Sequence, residues 1–176
     1  APAPVGCAAP IARHDSAAAL KARFGKAARI EDVPIGEGDT AKALVLFGKD
    51  KARRIEVLYW DDAMRRVSTI RWQGKGWSAG GLRIGAGPAA ATRANGRAFS
   101  LSGFGRDYGG WVTDLRGGRL ARMPGGCTIG LRFEPPAHAT YPPDGISGDM
   151  TIASTLPALV RYRPVISTLS IGWPDK

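Results

Sequence analysis

The sequence predicts an α+β chain, mostly β, made of two tandem halves that each run from a short helix into an antiparallel sheet. Three observations carry that expectation. Short runs rich in β-branched and aromatic residues recur at 42–47, 54–60 and 67–72, and again at 99–101, 110–115, 127–133 and 165–173. Two alanine-rich stretches, 16–26 and 87–97, precede these groups and match in length, in alanine content and in a closing Gly-basic pair, Gly25-Lys26 and Gly96-Arg97. The 24 glycines and 13 prolines among 176 residues favour turns and short strands over long helices.

Residues 1–13 are rich in alanine and proline and read as an extended arm, ordered if Cys7 pins it. Asp15 or Ser16 can accept a bond from the first free N–H groups of a helix at 16–24, with Leu20 and Phe24 one turn apart and Gly25 as its stop. A link through Ile30 and a turn at 36–39 lead to three antiparallel strands, which complete a first half at 14–78. The 54–60 run alternates polar and apolar residues before losing the alternation, as a strand buried on one face at one end does. A glycine-rich joint at 74–81 follows. Pro88 opens the second helix and Asn95-Gly96 closes it. The strands of the second half, 79–176, are interrupted by a Pro-rich excursion near 134–163, in which 156–162 reads as a helical turn. A chain of this length, 1–176, is expected to bury one core as a single domain without metal or cofactor.

The 25 Lys and Arg against 15 Asp and Glu give a formal charge of +10. That charge favours polyanions in general, but no basic block exceeds two consecutive residues, so neither a nucleic-acid tail nor a polybasic membrane segment is present and nucleic acid is a poor candidate. No apolar run is long enough for a membrane-spanning helix. The Ala-Pro-Ala-Pro beginning resembles the product of signal-peptide cleavage, and the expected location is a bacterial periplasm or the cell exterior. Cys7 and Cys127, without C-x-x-C spacing or a nearby histidine, suit one disulfide better than a zinc site. A lipid-attachment role for Cys7 is the competing reading, against which the preceding residues lack the usual leucine.

Catalytic readings are thin. A hydrolase would need His14 or His138 as its base, and these suit a helix cap and a loop surface. Asp61-Asp62 is too short a cluster for a cation or for an acid–base pair. The run 84–90 imitates a dinucleotide fingerprint with Asp107 downstream, but the helix after it is short and Pro88 removes a donor N–H. A different chemistry lies in 95–112, where Phe99, Phe104, Tyr108 and Trp111 stand among glycines that permit a hairpin. Trp60, Trp72, Trp77, Tyr108 and Trp111, interleaved with Arg54, Arg71, Arg97 and Arg106, can form an aromatic and cationic face; the competing reading makes Trp60 and Trp72 core residues of a small sheet with the arginines on its solvated side.

The runs Asn95-Gly96-Arg97-Ala98-Phe99 and Gly103-Phe104-Gly105-Arg106-Asp107-Tyr108-Gly109-Gly110, followed by Asp114 and Gly117-Gly118, resemble a pattern in exported bacterial proteins of uncharacterised function. There Asn-Gly-Lys-Pro-Phe leads to Gly-Phe-Gly-Trp-Asp-Tyr-Gly-Gly. Phe24-Gly25-Lys26, Gly36-Glu37-Gly38 and the 54–60 run also look like that group, so the resemblance covers roughly 16–135. The chain departs from it at Ala98, Arg106 and Leu115, where the pattern has proline, tryptophan and tryptophan. More remotely, a repeated helix and antiparallel sheet resembles the tandem fold of β-lactamase inhibitor proteins and small outer-membrane assembly lipoproteins. That resemblance implies a curved sheet that presents side chains to another protein.

The expected function is therefore non-catalytic binding of another macromolecule, a protein partner of the cell envelope, with Trp77, Phe104, Arg106, Tyr108 and Trp111 as contact residues. No cofactor, metal or catalytic residue is called for. A polyanion binder and a small hydrolase are the alternatives.

Overall fold

A computed structural model describes residues 1–106 and 108–176, with 12 strands and three α-helices among them. In chain order these are β1 (Ala3–Pro4), α1 (Ala17–Phe24), β2 (Ala28–Gly36), β3 (Asp39–Leu46), β4 (Ile55–Tyr59), β5 (Val67–Trp72), β6 (Trp77–Ala79) and β7 (Leu82–Arg83). There follow α2 (Pro88–Asn95), β8 (Ser100–Ser102), β9 (Val112–Asp114), β10 (Thr128–Glu134), β11 (Thr151–Ala153), α3 (Pro157–Tyr162) and β12 (Val165–Gly172). The expected class, α+β and mostly β, is the class found.

The principal sheet has six strands in the order β10-β12-β5-β4-β3-β2, all antiparallel. A second sheet, β11-β8-β9, adjoins its β10 edge through the antiparallel bridge between Trp111 and Arg132 and the bond from Phe133 N–H to the Gly110 carbonyl, 2.8 Å. Helix α1 is followed by β2, β3, β4 and β5 side by side, and α2 by β8, β9, β10 and β12 side by side. The last strand of each run pairs antiparallel in the middle, Leu169 opposite Trp72 and Ile171 opposite Ile70. Two similar runs placed head to head would produce this order. Their cores are continuous: Leu20 of α1, Ala91 of α2, Phe99, Leu131, Ile70 and Leu169 belong to one buried cluster on the helix side of the sheet.

Local chemistry accounts for the helix bounds. Ser16 resolves the choice of cap, its hydroxyl accepting from Ala19 N–H at 3.0 Å, while Asp15 instead accepts from Ala12 N–H and from Arg23. Helix α2 begins at Pro88 and ends on Gly96 in the left-handed region, φ 78°. The arm is ordered: β1 pairs with β6, Val5 and Ile11 are buried, and a disulfide joins Cys7 to Cys127.

The first half differs from expectation by one strand. Residues 28–36, read as a link, form β2, nine residues long and at the sheet edge. Only Ala28 and Val33 of it are buried, so neither face carries the apolar alternation that marks a strand. The Pro-rich excursion contains β11 besides the expected helical turn. The dinucleotide reading is overturned, because β7 before Gly87 belongs to a two-residue antiparallel pair and α2 crosses to no parallel strand.

Candidate functional site

The face of the sheet away from the helices is open, and the sheet curls around it. Arg71, on β5, donates from Nη2 to the Pro34 carbonyl on β2, although β4 and β3 lie between them. In a flat sheet those strands stand about 14 Å apart, further than an arginine side chain reaches. Register shifts at Pro34/Gly36, Leu58/Tyr59 and Arg132/Phe133 supply the bend, since a bulge tightens twist and tilts the strand beyond it. The result is a groove of about 840 Å³.

Its floor and walls follow from strand register. Glu56 lies opposite Arg71 on neighbouring strands, and Thr168 lies opposite Arg132, which bridges in turn to Trp111. Gln73 reaches Thr168, its Nε2 donating to Oγ1 at 3.3 Å. Glu56 holds two arginines, accepting from Arg71 Nε at 2.7 Å and from Arg54 Nη2 at 3.0 Å. Arg132 spends its Nε on the Gly109 carbonyl at 3.2 Å and sets its guanidinium over the Trp111 ring, 5.5 Å from the centroid. Beneath one flank Val33, Ala43 and Val45 form a small second core with Leu58, so the charged floor rests on packed apolar side chains.

The glycine-rich run closes one end. Its base is clasped: Gly103 N–H donates to the Met150 carbonyl and Phe104 N–H to that of Ile146, both inside 3 Å. A Cβ at Gly103 would collide with the Gly148 carbonyl, and one at Gly110 with that of Phe133. From that base Tyr108 projects, 57% exposed, and its hydroxyl donates to Glu37 Oε1 at 2.8 Å on the β2–β3 turn. The tip thus reaches across the groove to the opposite edge of the sheet. Asp107 lies outside the described residues.

Of the five expected contact residues, Tyr108 and Trp111 line the groove together with Arg54 and Arg71. Phe104 is a correction: it is 2% exposed and packs against Tyr162 at 5.9 Å, because the 146–150 segment folds over it. Arg106 is exposed at the tip and does not line the groove. Trp77 is also separate, stacked on Phe47 at 6.4 Å, with its Nε1 donating to the Arg53 carbonyl to hold the β3–β4 loop. Trp60 is 46% exposed away from the groove and is no core residue, whereas Trp72 is buried in the main core and also borders the groove. Arg132, Glu56, Gln73, Thr168 and Lys51 also line the groove, and no motif in the sequence marks them as a group. The outward position of Arg132 between the buried Leu131 and Phe133 is the signal that marks it.

The remaining candidates resolve locally. His14 and His138 are exposed, and neither ring forms a hydrogen bond among the described residues. Asp61 accepts from Arg66 N–H at 2.8 Å and Arg65 N–H at 3.1 Å, and the Arg66 amide above all holds its carboxyl below the ordinary carboxylate range. No group of three or more potential metal ligands exists among the described residues.

No protein-family model matches the chain, and no curated protein matches it. Among solved structures, the uncharacterized protein yfeY from Escherichia coli is similar, with a TM-score of 0.51 at 14% identity over 98% of this chain and 100% of that one. At that identity the likeness is one of fold.

Proposed function

We propose that this protein is a non-catalytic binding protein that engages another macromolecule through the curled face of its sheet. The carrying observation is the Trp111–Arg132 wall with Tyr108 beside it, aromatic and cationic surface turned into a groove whose floor is already rigid with ion pairs. Aromatics and arginines set in a concave, preorganised site are the side chains that give most binding energy per residue at protein interfaces. A protein partner is favoured, and the place of action is an oxidising compartment, the periplasm or the cell exterior. The Cys7–Cys127 disulfide supports that location, and no helix among the described residues is long and apolar enough to cross a membrane.

The test is site-specific photocrosslinking in envelope extract. A photoreactive phenylalanine at position 111 should give a discrete crosslinked product, lost when Gln73→Trp fills the groove beside Thr168, while the same probe at Tyr141, 95% exposed and outside the groove, gives none. Equal products from both positions, or none from 111, would refute the reading.

A further inference from the structure

Resting on the groove as the binding face, we infer that its occupant is an extended acidic polypeptide segment whose carboxylates pair with Arg132 at one wall and Lys51 at the other. The groove is lined by four cations, Lys51, Arg54, Arg71 and Arg132, against the single carboxylate of Glu56. These cations fall into two kinds. Arg54 and Arg71 are both committed to Glu56, at 3.0 and 2.7 Å. Arg132 and Lys51 have no carboxylate partner among the described residues. Arg132 is nonetheless held in place by Gly109 and Trp111, so its remaining N–H groups are oriented without being used.

Placement narrows the ligand. Arg132 is on β10 and Lys51 is in the loop before β4, with Thr168 of β12 and Gln73 just beyond β5 between them. That separation is at least two strand spacings, roughly 10 Å. One phosphate cannot satisfy both cations, whereas two carboxylates four residues apart on an extended chain, roughly 13 Å, fit with ordinary side-chain reach. A continuous polyanion fits worse, because a phosphate or sulfate on every unit would bring one of them against Glu56. Between the two cations the groove offers what a peptide backbone uses, the Gln73 amide and the Thr168 hydroxyl, and beyond them lie the apolar surfaces of Ile35 and Trp111. Across the six strands an extended segment of about eight residues reaches from edge to edge.

The test uses the full chain and the peptide acetyl-Gly-Glu-Val-Ser-Val-Glu-Gly-amide, followed by calorimetry and by tryptophan emission. Binding is expected with a dissociation constant below about a millimolar, weakened at least about tenfold when both Glu are replaced by Gln in the peptide. In the protein, Arg132→Gln should weaken it about tenfold and Lys51→Gln several-fold, Arg132→Lys should keep part of it, and Arg106→Gln should change nothing. Unchanged melting curves for these variants separate lost contacts from lost folding. Equal affinity for the Glu and Gln peptides, or no binding at millimolar concentration, overturns the inference. So does tighter binding of a heparin oligosaccharide or a thymidine oligomer that Arg132→Gln abolishes. If the crosslink from position 111 persists while the peptide fails, the acidic class is wrong and the binding face stands. If both fail, so does the binding face.

Discussion

Tyr108 and Glu37, 71 residues apart, meet over the groove through a hydrogen bond of 2.8 Å from the phenol to the carboxylate. One belongs to the glycine-rich tip beyond β8 and the other to the turn between β2 and β3, so the bond joins opposite edges of the curled face. Both partners are exposed, and water competes for each, so the bond contributes little to global stability, about 1 kcal/mol at most. Its effect is local order at the mouth of the groove.

Tyr108→Phe should therefore lower Tm by no more than about 3 °C while amide exchange in peptides covering 103–111 quickens. Glu37→Ala should reproduce that pattern, and Glu37→Gln, which keeps an acceptor oxygen, should do so less. Unchanged exchange in the tip would show that the bond does not order it.

The glycines of the tip are not equivalent. Gly110 has φ 78° and lies against the Phe133 backbone, whereas Gly105 has φ 87° and open space around it. Gly110→Ala combines backbone strain with a clash that backbone cannot relieve, and should cost about 3 kcal/mol or more in urea unfolding. Gly105→Ala meets only the strain, about 1 kcal/mol. Equal costs would mean that the close approach at Gly110 is not what fixes the base of the tip.

Much of this arrangement is legible in the residues. Strands with one buried face, such as β10 with Ile129, Leu131 and Phe133 inward, announce themselves by alternation, and both principal helices by their caps. Strand β2 does not, because an edge strand has little to bury: its Ile30 and Ile35 are exposed, and Pro34 and Gly36 interrupt the run. The groove was half visible. Arg54, Arg71, Tyr108 and Trp111 stand out by residue type, but their meeting depends on curvature produced by bulges, which no local pattern reports. Phe104 misled for the same reason: beside five glycines it reads as an exposed tip, and only the distant 146–150 segment buries it.

Asn95 reads as a helix stop, yet its side chain is a buried junction. It is 1% exposed, its Nδ2 donates to the carbonyls of Arg97 and Leu115 at 3.0 Å, and its Oδ1 accepts from Leu120 N–H at 3.2 Å. Gly118 packs so closely on this amide that a Cβ there would collide with it. Asn95→Ala leaves three backbone groups without this partner, the buried Leu120 N–H and the part-buried carbonyls of Arg97 and Leu115, and should cost about 3 kcal/mol. Asn95→Asp keeps the acceptor but places a carboxylate against two carbonyls, and should cost at least as much. A loss below about 1 kcal/mol in Asn95→Ala would show that water replaces the amide.

The disulfide closes a sequence separation of 120 residues and fixes the arm that pairs β1 with β6. A loop of that length restricts the unfolded chain strongly, so the Cys7→Ser/Cys127→Ser pair should lose about 2–5 kcal/mol. Exchange at Ala3 and Val5, whose amides bond to Gly76 and Ser78, should rise first. A loss confined to the arm, with the sheet's stability intact, would mean that the arm is an appendage.

Asp61 sets the pH dependence most directly, because the folded chain holds its carboxyl below the ordinary carboxylate range, mainly through the Arg66 amide with Arg65 assisting. A carboxyl depressed on folding stabilises above its unfolded value and loses that contribution as pH falls through the folded one, so the effect belongs below about pH 4. Asp50, lowered chiefly by its bond from Arg53, acts in the same direction. In Asp61→Asn the fall of Tm between about pH 5 and pH 2 should be shallower than in the parent, and at neutral pH the variant should be slightly the less stable of the two. Parallel curves across that range would show that the turn holds its shape without the charge.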